Sequence, residues 1–269
     1  MGQLSWSAPD ERAEGELLVR SAPGAVEVTF NRPERLNAFT EAMYEELLTL
    51  CAEVAADRSV RVVVFRGAGG RAFAAGSEIS LFSDFRSGGD GIAYEAQIRR
   101  VLGAIAALPQ VTVAAVEGIC VGGGLAVAAS CDLRICSPDS RFGIPIARTL
   151  GNALSASIVL RCVEVFGDGL TREMLLASRL VSAERAYAVG AVMAVAPEGS
   201  LEAEVASVID GVRQAARVTI EVTKEQLHAG AAGHDAAADD ARMAKAYGGE
   251  DFREGVRAFL AKEKPRFSE

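Results

Sequence analysis

The chain has 269 residues, half of them hydrophobic and 24% charged, with a formal net charge of −8 at pH 7. That mixture carries enough apolar surface for a substantial core, and its acidic balance argues against a nucleic-acid partner, whose affinity would come mostly from a basic face. No apolar stretch is long and pure enough to span a membrane, and the acidic, polar opening residues are unlike a signal or transit peptide, so the expectation is a cytoplasmic protein with no membrane partner.

In chain order, "VEVTFNRP" (Val26–Pro33) alternates apolar and polar residues like a strand and stops at a proline. From Thr40, "TEAMYEELLTLCAEVAAD" repeats apolar residues three and four apart, which predicts a helix with Thr40 as its N-cap. "VRVVVFRGAGG" (Val60–Gly70) reads as a buried strand ending in a glycine turn, and "FSDFRSGGDGIAYEA" (Phe82–Ala96) as a mobile loop entering a helix. Val111–Gly118 and Cys131–Ser137 read as further strands. From about Ile146 the signals are mostly helical, with a loose helix or loop over Ala229–Asp240 and an amphipathic tail over Asp251–Leu260. Strands and helices alternate first and helices dominate last, which predicts an α/β core with a helical extension.

The five cysteines (Cys51, Cys120, Cys131, Cys136, Cys162) form no CxxC and lie in apolar contexts, so they read as buried free thiols. His228 and His234, six apart, fall on different helix faces and do not suggest a metal pair. No metal is expected.

Gly122, Gly123 and Gly124 precede an apolar run. They match neither GxGxxG nor GxxxxGK[ST], so neither a dinucleotide fingerprint nor a P-loop is indicated. Two readings stand. The glycines allow a tight turn or close packing, or they bare N–H groups at a helix N-terminus able to hold an anion or a developing oxyanion. "RAFAAGSEISLF" (Arg71–Phe82) places small residues after another strand-and-turn signal. Two such turns supplying one N–H each would make an oxyanion hole.

With "NRPERLNAFT" (Asn31–Thr40), "FAAGSEI" (Phe73–Ile79), "GICVGGGLAVAASCDLRI" (Gly118–Ile135), "RFGIP" (Arg141–Pro145) and the tail "DFREGVRAFLAKEKPRF" (Asp251–Phe267) in this order, the chain resembles the crotonase superfamily, the enoyl-CoA hydratase/isomerase family. The resemblance runs from about Gly15 to Phe267. It implies a spiral core of repeated ββα units over residues 1–195 holding an acyl-CoA site. It also implies a C-terminal helical region over 196–269 that builds a homotrimer or a hexamer. Coenzyme A would enter as part of the substrate, with no separate cofactor. By motif matching, the backbone N–H groups of Ser77 and Gly123 would be the catalytic oxyanion donors. Arg35, Leu36 and Ala38 would lie along the CoA moiety, and Ala74, Ala75 and Gly76 beside its adenine. Phe259 and Lys262 would reach the nucleotide end of a neighbouring subunit's CoA. Each of these also has an ordinary packing or surface reading. Glu78 reads as structural.

Hydratases of this family carry two glutamates. The matching positions here are Ala126 and Ile146, neither able to move a proton. The resemblance therefore implies an enzyme, a lyase or isomerase acting on an acyl-CoA thioester through enolate stabilisation, while the two-glutamate hydration mechanism is not expected. Decarboxylation, isomerisation, thioester hydrolysis and hydration with a relocated base remain open, as does a non-catalytic acyl-CoA-binding role. Substitute polar groups are Arg148, Asn152 and Ser155; substitute carboxylates are Asp84, Asp90 and Glu95.

Overall fold

Three antiparallel strands open the chain: β1 (Asp10–Arg12), β2 (Leu17–Ala22) and β3 (Ala25–Phe30). They are seen in the computed structural model of the protein, which describes residues 4–232 and 235–267. Gly24 takes φ +75° in the tight turn between β2 and β3, a value that costs glycine little. Thr40 caps α1 (Glu41–Ala56) by accepting from the Met43 N–H at 3.2 Å, as its sequence position predicts.

The chain then repeats one move. β4 (Val62–Gly67) enters a large sheet, β5 (Ala72–Ala74) a small one, and α2 (Gly88–Ala106) returns. β6 (Val111–Val116), β7 (Ile119–Val121) and α3 (Gly123–Ser130) do the same. So do β8 (Leu133–Cys136) and β9 (Arg141–Gly143), followed by α4 (Ile146–Thr149) and α5 (Ala156–Leu176). β10 (Val181–Ser182), α6 (Ala183–Ala188) and β11 (Ala194–Val195) close the spiral. The large sheet runs β1-β2-β3-β4-β6-β8-β11 and is parallel from β3 onward; the small one runs β10-β9-β7-β5. This is the spiral of ββα units that the resemblance implies.

Both faces of the large sheet are covered, which is why β4 and β6 read as unbroken apolar runs rather than alternating ones. Val63 and Phe65 face the main core with Leu47, Val101 and Leu125 of α1, α2 and α3. Val62 and Val64 face the other way, onto Leu201, Val205 and Ile209 of α7 (Leu201–Arg213). The boundary expected after residue 195 falls where β11 ends, yet α7 is packed onto the sheet. α8 (Arg217–Ala232), α9 (Ala236–Tyr247) and α10 (Glu250–Ala261) follow. Buried Lys224 ties α8 to the sheet, with Nζ 2.6 Å from both Asp132 Oδ2 and the Gln110 carbonyl.

Some elements differ from the sequence reading. Gly88, Gly89 and Gly91 lie in the first turn of α2 rather than in a loop. Ser87 and Asp90 form a capping box there, which offsets the poor helix propensity of glycine. The segment over Ala229–Asp240 resolves into the end of α8 and the start of α9, with Asp235 as N-cap. All five cysteines are buried and unpaired. His228 sits exposed on α8, while His234 lies outside the described residues. Among the described residues no helix is long and apolar enough to cross a membrane, and no cluster of His, Cys, Asp or Glu could hold a metal.

Candidate active site

Two backbone turns meet in front of α3. Gly76 follows β5 with φ +100°, and Gly122 precedes α3 with φ +56° and ψ −126°. Both are conformations that L side chains rarely adopt. The turns touch: a Cβ on Gly76 would stand 3.3 Å from the Gly123 nitrogen. Gly123 is the first residue of α3, so its N–H has no intrahelical acceptor. Ser77 is bridged to Phe39 in parallel fashion: Phe39 N–H donates to the Gly76 carbonyl and Glu78 N–H to the Phe39 carbonyl, each at 2.8 Å. That pattern leaves the Ser77 N–H without a partner among the described residues. Ser77 and Gly123 thus offer two unused backbone donors on adjacent turns, one of them at the positive end of a buried helix.

The donors line a cavity of about 280 Å³. Its apolar walls include Ile79, Phe82, Ile98, Ile146, Leu154 and Ile158. Ala126 and Ile146, the positions where a hydratase would carry glutamates, also line it, so the space is there and the acids are not. Above Gly123 lies a chain of three hydroxyls. Tyr44 Oη is 2.7 Å from Ser77 Oγ, and Ser77 Oγ also contacts Tyr94 Oη. Burial raises the phenol pKa of Tyr44 well above its usual value and also raises that of Tyr94, so both stay protonated at neutral pH. Tyr94 is braced edge-on by Phe82 at 5.0 Å and by Phe85 at 6.1 Å.

The loop carrying Arg35, Leu36 and Ala38 is brought against the Gly76 turn: Ala75 N–H donates to the Leu36 carbonyl at 2.9 Å. Buried Asn37 clips that loop to the β4–β5 connection through the Ala72 carbonyl (2.7 Å) and the Ala68 carbonyl (3.0 Å). Arg35 is exposed there. Ala75 and Gly76 line the cavity, whereas Ala74 is fully buried and packs inward. Glu78 pairs with Arg32 at 3.0 Å, a structural contact. Phe259 and Lys262 lie at the end of α10, away from the cavity lining; Phe259 is 83% exposed.

Of the substitute groups, Asp84 is exposed beside Arg86, and Asp90 is occupied capping α2. Arg148 is exposed, and Asn152 lines the cavity. Glu95 lines the cavity, and its Oε2 accepts from the Ser155 N–H at 2.8 Å. The sequence reading missed Tyr44 and Tyr94 as site residues. Their only signal was a polar tip on the inward face of two amphipathic helices.

The family model for enoyl-CoA hydratase/isomerase matches residues 21–269. The chain is 30% identical over 264 residues to the mevalonyl-coenzyme A hydratase of Aspergillus fumigatus, covering 94% of this chain and 95% of that one. It is 27% identical over 240 residues to the short-chain-enoyl-CoA hydratase of Clostridium acetobutylicum, covering 88% and 91%. Among solved structures, an enoyl-CoA hydratase/carnithine racemase from Magnetospirillum magneticum superposes with a TM-score of 0.88 at 31% identity, over 94% of this chain and 95% of that one. The spiral of ββα units, the paired glycine turns and these likenesses agree. The chain belongs to the enoyl-CoA hydratase/isomerase family of the crotonase superfamily.

Proposed function

We propose that this protein is an acyl-coenzyme A enzyme that takes the acyl group of a thioester into the Ala75–Ile158 cavity and stabilises an enolate. The observation that carries the reading is the pair of unused N–H donors, Ser77 and Gly123, on adjoining turns inside an apolar cavity. A thioester oxygen placed between them gains most as negative charge develops, because the donors are already oriented and the walls are largely apolar. The loops at Arg35–Ala38 and Ala75–Gly76 meet beside this site, and the reading assigns them to the CoA moiety. It assigns the apolar face of α10, with Phe259 and Leu260 exposed, to self-association as a trimer or hexamer. Phe259 and Lys262 would then act on a neighbouring subunit's CoA.

Ala126 and Ile146 favour a second reading, an acyl-CoA binder that leaves the acyl group unchanged. Mass spectrometry of enoyl-, 3-hydroxyacyl- and malonyl-type CoA thioesters incubated with the protein in heavy water decides between them. Deuterium uptake at the α-carbon, gain of water or loss of CO₂ is expected from the enzyme. Thioesters that bind and return unchanged would leave only the binder.

A further inference from the structure

We propose that Glu95 supplies the acid–base group that positions 126 and 146 lack, and that the reaction is a one-base proton shift on an unsaturated acyl thioester. The inference rests on the acyl-thioester reading above. Among the described residues lining the cavity, Glu95 carries the only carboxylate. The apolar stripe of α2 fixes its place: Ile98, Val101, Leu102 and Ile105 are buried in the core, and that phase brings Glu95 to the cavity. The carboxylate is held but not consumed. Ser155 N–H donates to Oε2 at 2.8 Å, and no described residue donates to the other oxygen. Its charge is felt at the hydroxyl chain beside the oxyanion donors. Behind burial, and for Tyr44 also behind the neighbouring Tyr94, it adds to the rise in the phenol pKa of both Tyr44 and Tyr94. Thus one carboxylate and two oxyanion donors serve the same cavity, as proton abstraction next to a thioester carbonyl requires.

A single carboxylate favours chemistry in which one group both removes and returns the proton. With a 3-enoyl thioester, Glu95 takes a proton from the α-carbon. The C–H pair moves into the conjugated enolate, whose oxygen is held by the Ser77 and Gly123 N–H groups. The carboxylic acid then gives a proton to the γ-carbon, and the double bond moves from the 3- to the 2-position. Atoms balance with no water and no oxidant or reductant. Hydration would need a second group to activate water, and Ala126 and Ile146 provide none.

The test uses the full-length protein and trans-3-hexenoyl-CoA in heavy water, read by absorbance of the conjugated product and by mass. Wild type is expected to form the 2-enoyl isomer with deuterium uptake. Glu95→Gln, which keeps the contact with Ser155, is expected to be slower by about a hundred-fold or more, with thioester affinity within about threefold of wild type. Exposed Asp84→Asn serves as control and keeps the wild-type rate. An isomerising wild type with an equally fast Glu95→Gln overturns the role of Glu95 while leaving the acyl-CoA reading intact. A wild type that binds the thioester but neither isomerises nor exchanges it overturns both the proton shift and the enolate reading. If Glu95→Gln fails to fold, Glu95→Asp replaces it. The shortened carboxylate should lower kcat at least tenfold with KM little changed, and a wild-type kcat would overturn the proposal.

Discussion

A Cβ on Gly124 would stand 2.2 Å from the Ala74 carbonyl oxygen, so β5 passes directly against the first turn of α3. This close approach, more than backbone freedom, is what residue 124 requires, and it holds the Gly76 and Gly122 turns side by side. Gly124→Ala must push backbone apart in a packed interior and should cost about 3 kcal/mol. Gly103, in α2 with no atom within 4 Å of its missing Cβ, is the contrast. Gly103→Ala should be neutral or stabilising by about 0.5–1 kcal/mol through helix propensity. Urea titration of both variants checks the pair; equal midpoints would contradict the packing account.

The Gly123 N–H can be removed with little harm to the helix, because proline is well tolerated at the first helical position. A Cβ there would come within 2.9 Å of Tyr44 Oη, so the comparison is made in a Tyr44→Phe background. Relative to Tyr44→Phe alone, adding Gly123→Pro should slow thioester turnover by about a hundred-fold or more. Thermal melting should show little change. Unimpaired turnover would remove Gly123 from the oxyanion site.

Burial pushes the thiols up, to about 11 for Cys51, Cys136 and Cys162 and to about 12 for Cys131. Cys120 is also raised well above its ordinary value by burial, reinforced by Cys131 and Cys136. At pH 8 a thiol-specific disulfide reagent should therefore titrate almost nothing in the native protein and all five cysteines in urea. The sign for stability follows. Unfolded thiols ionise near their ordinary value of 9.0, while the folded ones hold their protons. Stability from this source is complete below pH 9 and is lost as pH rises toward 11. Denaturant midpoints between pH 8 and pH 10.5 measure it.

Lys224→Met should destabilise the fold by about 3 kcal/mol, because it strips a charge partner from Asp132 and a donor from the Gln110 carbonyl. Asp132 keeps its bonds from the Thr112 N–H and hydroxyl, so the double variant with Asp132→Asn should recover part of the loss. A double-mutant cycle in urea gives the coupling, and additive effects would show that the pair contributes nothing jointly.

Much of the fold is legible along the chain because its signals are local. The doubly buried strands β4 and β6 read as apolar runs, and Thr40 and the α1 periodicity mark a helix before any contact is known. The glycine turns are legible for the same reason. Gly76 and Gly122 need positive φ, and Gly124 needs to be bare, so these requirements leave their trace in residue type. Short strands such as β9, β10 and β11 are not legible. They exist only because a neighbouring strand is already there to pair with.

Which of the candidate carboxylates reaches the cavity is decided by tertiary structure. Asp84, Asp90 and Glu95 are chemically alike and lie within one short stretch. Capping takes Asp90, solvent takes Asp84, and only the phase of α2, set by Ile98 and Val101 seeking the core, delivers Glu95 to the cavity. Tyr44 and Tyr94 come from different helices and meet at Ser77 through packing that no local pattern encodes. The sequence by itself determined the family, the spiral and the positions of the glycine turns, because glycine and apolar periodicity act on neighbours in the chain. Which side chain faces the donors was decided by how the helices pack, because burial is a property of the assembled core.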